Sequence, residues 1–77
     1  MDFQIRITET AITTTERFGN AILNHLDLLK TFPYIGSPLA ERPGVRQLVH
    51  TPILIWYRVH EAPNFVEVLH FWHSGRR

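Results

Sequence analysis

Three consecutive stretches decide the fold: Ile53-Leu54-Ile55-Trp56-Tyr57-Arg58-Val59-His60, the break Glu61-Ala62-Pro63-Asn64, and Phe65-Val66-Glu67-Val68-Leu69-His70-Phe71-Trp72. Both runs are rich in β-branched and aromatic residues, which suit strands. A short break holding a proline makes them an antiparallel hairpin. Pairing Val59 with Val66 sets Tyr57 opposite Val68, Ile55 opposite His70 and Ile53 opposite Trp72. One face then carries those eight residues and suits a core beneath a helix. The other face sets Arg58 opposite Glu67, a favourable cross-strand pair. A slip of one residue would lose that pair and mix the faces. Beside Arg58, His60 and Glu67, this second face holds Leu54, Trp56, Phe65, Leu69 and Phe71. A solvated face should be mostly polar. Either another part of the chain folds over it, or it is a partner surface.

Working outward, residues 45–50 read as a third strand, parted from 53–60 by Thr51-Pro52. Residues 33–44 hold Pro33, Gly36, Pro38, Pro43 and Gly44, which marks a loop long for so small a domain. Before it, Phe18, Ala21, Ile22, His25, Leu28, Leu29 and Phe32 recur at offsets of three and four, the stripe of an amphipathic helix over 14–31. Thr13 with Glu16 fits a capping box, and Pro33 stops the helix. At the front, Phe3, Ile5 and Ile7 alternate with Gln4, Arg6 and Thr8, so a strand is expected. The order predicts an α+β fold in one domain spanning 1–77: one long helix on a three- to four-stranded, mainly antiparallel sheet.

Composition narrows the function classes. With 44% hydrophobic and 19% charged residues the chain is globular, not disordered. There is no cysteine, so disulfides and thiolate metal sites are excluded. A net charge of +1 argues against bulk capture of nucleic acid, though it leaves room for a local basic patch. No apolar run approaches the roughly 20 residues a bilayer needs, and Met1-Asp2-Phe3-Gln4 lacks signal-peptide character. A cytoplasmic protein is expected. His70 and His73 lie three apart and on a strand would point to opposite faces, so no metal is expected. Neither a phosphate loop, a nucleophile triad nor a zinc-finger pattern is present, and no cofactor is implied.

The run Arg17-Phe18-Gly19-Asn20-Ala21-Ile22, then Leu28-Leu29, Phe32-Pro33 and Ile35-Gly36, resembles the second helix and exit loop of RelE/ParE toxins. Pro43-Gly44-Val45-Arg46, Val49-His50, Ile55, Tyr57-Arg58-Val59 and the ending from Val66 to Arg77 resemble that superfamily's C-terminal sheet. The likeness covers about residues 17–77. The superfamily pattern is strand, helix, helix, sheet, whereas here one helix is expected to be missing between Ala11 and Thr15. The first strand would then be rearranged, exchanged between protomers or left undocked.

The resemblance implies the toxin of a type II toxin–antitoxin, or plasmid stabilisation, system that inhibits growth until a cognate antitoxin binds it. RelE-like members cut messenger RNA on the ribosome; ParE-like members inhibit DNA gyrase. RNA cleavage needs base, acid and cationic groups around the phosphate. RelE-like enzymes place lysines and arginines on the middle strands, but here the matching position is Leu54 and the only lysine is Lys30. The pattern is ParE-like more than RelE-like and leans away from an enzyme. A ribosome-dependent endoribonuclease, or a truncated remnant that only binds partners, is the alternative.

The candidate catalytic residues are Arg46, His50, Tyr57 and Arg76; the candidate partner-binding residues are Trp56, Arg58, Leu69, Phe71 and Arg77. Each also has a structural reading. Arg46 orders the turn at Pro43-Gly44. His50 caps a hairpin. Tyr57 is a core tyrosine with its hydroxyl bonded at the rim. Arg58 is the mate of Glu67. Arg76 and Arg77 form a basic tail. One helix covers only about 10–12 Å of sheet width, so a homo-oligomer or an antitoxin complex is expected rather than a lone monomer.

Overall fold

The computed structural model describes residues 2–8, 19–50 and 53–73. Strands β1 (Gln4–Ile7), β2 (Ser37–Pro38), β3 (Val45–His50), β4 (Ile53–Glu61) and β5 (Asn64–His73) form one sheet, with helix α1 (Gly19–Thr31) packed on it. The strand order is β1-β5-β4-β3-β2. All pairings are antiparallel except β1 with β5, which run parallel. The fold is α+β as expected, with five strands where three to four were predicted. The extra strand is β2, which lies in the segment expected to be plain loop and pairs Ser37 with Gln47 and Pro38 with Arg46.

The helix ends where Pro33 requires it to. Its buried stripe differs from the predicted one. Leu26, Leu29 and His25 are buried, whereas Leu28 is 36% and Phe32 57% exposed. Spacings of three and four fit two neighbouring stripes that share His25. The sheet accepts the one carrying Leu26 and Leu29 and leaves Leu28 and Phe32 outside. The predicted helix start, the Thr13–Glu16 capping box and the expected loss of a helix before Thr15 all lie outside the described residues.

The core joins Leu26 and Leu29 to Leu48, Ile53, Ile55, Tyr57, Val66, Val68 and Phe71, with Phe3, Ile5, Ile7 and Val59 packed at its margin. The hairpin register holds near its turn: Val59 pairs with Val66, Arg58 with Glu67 and Tyr57 with Val68. Beyond that a β-bulge intervenes between Trp56 and Tyr57, because Trp56 pairs with His70 and Leu69 is left without a partner. The expected pairs Ile55–His70 and Ile53–Trp72 are therefore corrected to Ile55–Phe71 and Ile53–His73. The gain is physical. Phe71 enters the core, while His70 and Trp72, whose polar nitrogens burial would penalise, move to the opposite face. Phe71 was assigned to a partner surface; at 6% exposure it is core. Thr8 binds the strand at the bulge, its amide donating to the Val68 carbonyl and its hydroxyl to the Leu69 carbonyl, each at 3.1 Å.

The first strand is docked, which rules out an undocked first strand. It pairs Ile5 with Val66 and Ile7 with Val68. The Phe3 amide donates to the Lys30 carbonyl at 2.9 Å, so the start of β1 meets the end of α1. Among the described residues, no helix is long and apolar enough to cross a membrane.

Candidate functional site

Alternation along the strands gives the sheet two unlike faces. The helix covers one, and there Tyr57 is fully buried. Its hydroxyl accepts the Gly36 amide at 2.9 Å. Opposite Tyr57, Arg46 donates from one nitrogen to the Gly36 carbonyl at 2.6 Å and the Tyr34 carbonyl at 3.2 Å, with its guanidinium 5.0 Å above the Tyr34 ring. Together these two side chains clamp the loop that leaves the helix. Of the predicted catalytic set, Arg46 and Tyr57 do come together, paired across β3 and β4 and both bonded to Gly36. Tyr57 is the more deeply placed of the two, with no exposed surface and its hydroxyl engaged by the Gly36 amide. His50 ends β3, and its side chain lies outside the described residues, as do Arg76 and Arg77 entirely.

Burial holds the Tyr57 phenol above its ordinary 10.0, against the opposing pull of the Gly36 N–H and the Arg46 charge. Below 10.0 the phenol is neutral folded or unfolded, so this stabilisation is fully present. As pH climbs from 10.0 through the raised value, the unfolded chain ionises first and stability falls. Urea midpoints measured across that range should drop in the wild type, with a clearly shallower drop in Tyr57→Phe. Equal slopes would show that the phenol is not buried.

The other face is open, and it gathers the polar and aromatic chemistry. Phe65 lies between Arg6 and His60, with the guanidinium 4.0 Å above its ring and the imidazole stacked at 4.2 Å. His60 Nε2 meets a Glu67 carboxylate oxygen at 3.0 Å. Glu67 faces Arg58 in register, as predicted, but its close partner is the histidine; Arg58 is exposed. Trp56 donates its indole N–H to Gln47 Oε1 at 2.7 Å, packs edge-on against Trp72 at 4.8 Å, and lies 5.3 Å beneath the Arg42 guanidinium. His70 stacks on Trp72 at 5.1 Å. Of the predicted partner-binding residues, Trp56 and Arg58 are on this face, Leu69 sits half-buried at the bulge, and Phe71 is on the far side.

Sequence reasoning missed Arg6, Arg42, His70 and Trp72 as members of this face. The first was readable only once β1 was known to flank β5. Arg42 comes from a turn, which has no periodicity to betray its direction. His70 and Trp72 were hidden by the bulge. Among the described residues no cluster of three or more His, Asp or Glu side chains could hold a metal ion.

Among solved structures the chain is similar to the toxin–antitoxin complex RelBE2 from Mycobacterium tuberculosis, with 22% identity and a TM-score of 0.77. The match covers 95% of this chain and 99% of that one, and at this identity it speaks for the fold. No curated protein sequence matches. Residues 5–77 match the family described as the ParE toxin of type II toxin-antitoxin system, parDE. With nearly its whole length inside that match, the chain belongs to the ParE toxin family.

Proposed function

We propose that this chain is the toxin of a type II toxin–antitoxin pair, that a cognate antitoxin holds it inactive, and that it acts on DNA gyrase rather than on messenger RNA. The observation that carries the ParE-like reading is the apolar row across β3, β4 and β5 on the open face. Leu54 stands there between Val49 and Trp72, and no lysine lies on the sheet. A phosphoryl transition state at that place would find no cationic group matched to its charge. Lys30 is on the helix, 3.7 Å from Asp27. Exposed Leu28, Phe32 and Ile35 support the further reading that the chain works within an antitoxin complex or a homo-oligomer.

One observation favours an endoribonuclease of RelE type: the His60–Glu67 hydrogen bond lies on the open face, with Arg6 and Arg58 in register on either side of Glu67. The test separates the two. Induced expression should arrest growth, and co-expression of the protein encoded beside it should relieve the arrest. Purified chain should inhibit supercoiling by gyrase, and primer extension on translated messages should show no codon-positioned cuts. Cuts that vanish in His60→Ala would overturn the gyrase reading. Binding to the neighbour without any growth arrest would mark an inactive remnant.

A further inference from the structure

The open face changes character along its strands. At one end Arg6, Glu67 and Arg58 lie side by side across β1, β5 and β4. At the other end Val49, Leu54 and Trp72 lie side by side across β3, β4 and β5, with no charge among them. Val49 is 58% and Trp72 38% exposed. His60 lies six positions after Leu54 on β4, about 20 Å at the strand rise. The face is thus a strip, cationic at one end and apolar at the other.

We propose that this strip binds one extended acidic–apolar peptide segment of the antitoxin, in one direction. Carboxylates lie over the Arg6–Arg58 end, and apolar side chains lie over Val49, Leu54 and Trp72. The inference rests on the toxin–antitoxin reading and adds the place, chemistry and polarity of the contact. Charge complementarity carries it. Among the described residues, Arg6, Arg42 and Arg58 have no carboxylate in ion-pair range, because Glu67, the carboxylate at that end, is held by His60. An acidic segment supplies what is missing, and burial of the apolar end supplies the rest. A second copy of this chain fits poorly. Laid head to head it would set arginines on arginines; laid head to tail it would set them on the apolar end.

Single-stranded nucleic acid also fits poorly. Base stacking needs free aromatic faces. Phe65 is covered by Arg6 and flanked by His60, and Trp56 is covered by Arg42 and closed edge-on by Trp72.

Trp56 and Trp72 are the two tryptophans of the chain, so intrinsic fluorescence reports this face directly. The probe is the full-length neighbour-encoded protein that relieves growth arrest, itself taken in a tryptophan-free form. Arg6→Glu combined with Arg58→Glu should weaken binding about 100-fold and abolish most of its salt dependence. Val49→Asp should weaken it about tenfold and leave the salt dependence in place. All three side chains are solvent-facing, and far-ultraviolet circular dichroism checks that the variants fold. The chain has no cysteine, so single Arg58→Cys and Val49→Cys variants carrying a photo-crosslinker can report direction. They should capture the acidic and the apolar portions of one segment, respectively. Binding of the double variant within about threefold of wild type would overturn the proposal, as would a reversed crosslink order. So would displacement of the antitoxin from this face by a single-stranded RNA oligonucleotide. If no neighbour binds the wild type or relieves arrest, the toxin–antitoxin reading itself fails and takes this inference with it.

Discussion

Replacing Gly36 by alanine should cost about 3 kcal/mol of folding stability, a large share of the roughly 4–12 kcal/mol expected for a domain this size. A Cβ at Gly36 would lie 2.7 Å from the Tyr57 hydroxyl oxygen, 2.8 Å from the Gln47 carbonyl oxygen and 2.9 Å from Tyr57 Cε1. None of these can give way cheaply. Gln47 is strand backbone paired with Trp56, and Tyr57 is walled in by the core. The loop must move instead. Moving it breaks the Gly36 amide bond to Tyr57 and the Arg46 bond to the Gly36 carbonyl. A buried polar group left unpaired costs about 1–3 kcal/mol. Urea unfolding followed by circular dichroism measures the loss. A change below about 1 kcal/mol would mean that the exit loop is not clamped and that Arg46 is free for other work.

The second large effect separates two adjacent residues. Phe71→Ala should cost about 3–4 kcal/mol, in the range for emptying a buried aromatic site. Trp72→Ala should cost about 1 kcal/mol, because it loses only edge-on and stacked contacts with Trp56 and His70 at a partly exposed position. A hairpin without the bulge would reverse that order, since Trp72 would then face the core opposite Ile53. Comparing the two urea midpoints therefore tests the bulge itself. Equal losses would count against the register described above.

That contrast shows where the sequence could be read and where it could not. From the turn outward, Val59 against Val66 and Arg58 against Glu67 were legible, because alternation and one charge pair agree there. Four large side chains in a row, Leu69-His70-Phe71-Trp72, hide an inserted residue. Strict alternation sorts them by parity, whereas packing sorts them by which ring tolerates loss of water. The helix was legible as a helix but not in its rotation, since Leu28 and Leu29 fit the same spacing equally well. Trp56 and Arg58 reached the open face as read. Tyr57 lies on the core face as read, but a hydroxyl at the end of a buried ring does not tell from sequence whether it awaits a substrate or a backbone amide 21 positions away. Arg6 was lost for a topological reason. Nothing local to Gln4–Ile7 says which strand will lie beside it.

The parallel pairing of β1 with β5 also sets a clock. Thr8 and Leu69, joined by a hydrogen bond, are 61 positions apart in the chain. At about 5–20 residues per second, synthesis needs several seconds to bring the second of them into being after the first. Throughout that interval β1 has been made but its place in the sheet has not. Such long-range closure is also the slowest kind to form. The nascent polypeptide therefore carries an unpaired strand edge until β5 emerges. A protein made at the same time, and ready to grip that edge or the half-built sheet, would meet its target before the fold is complete.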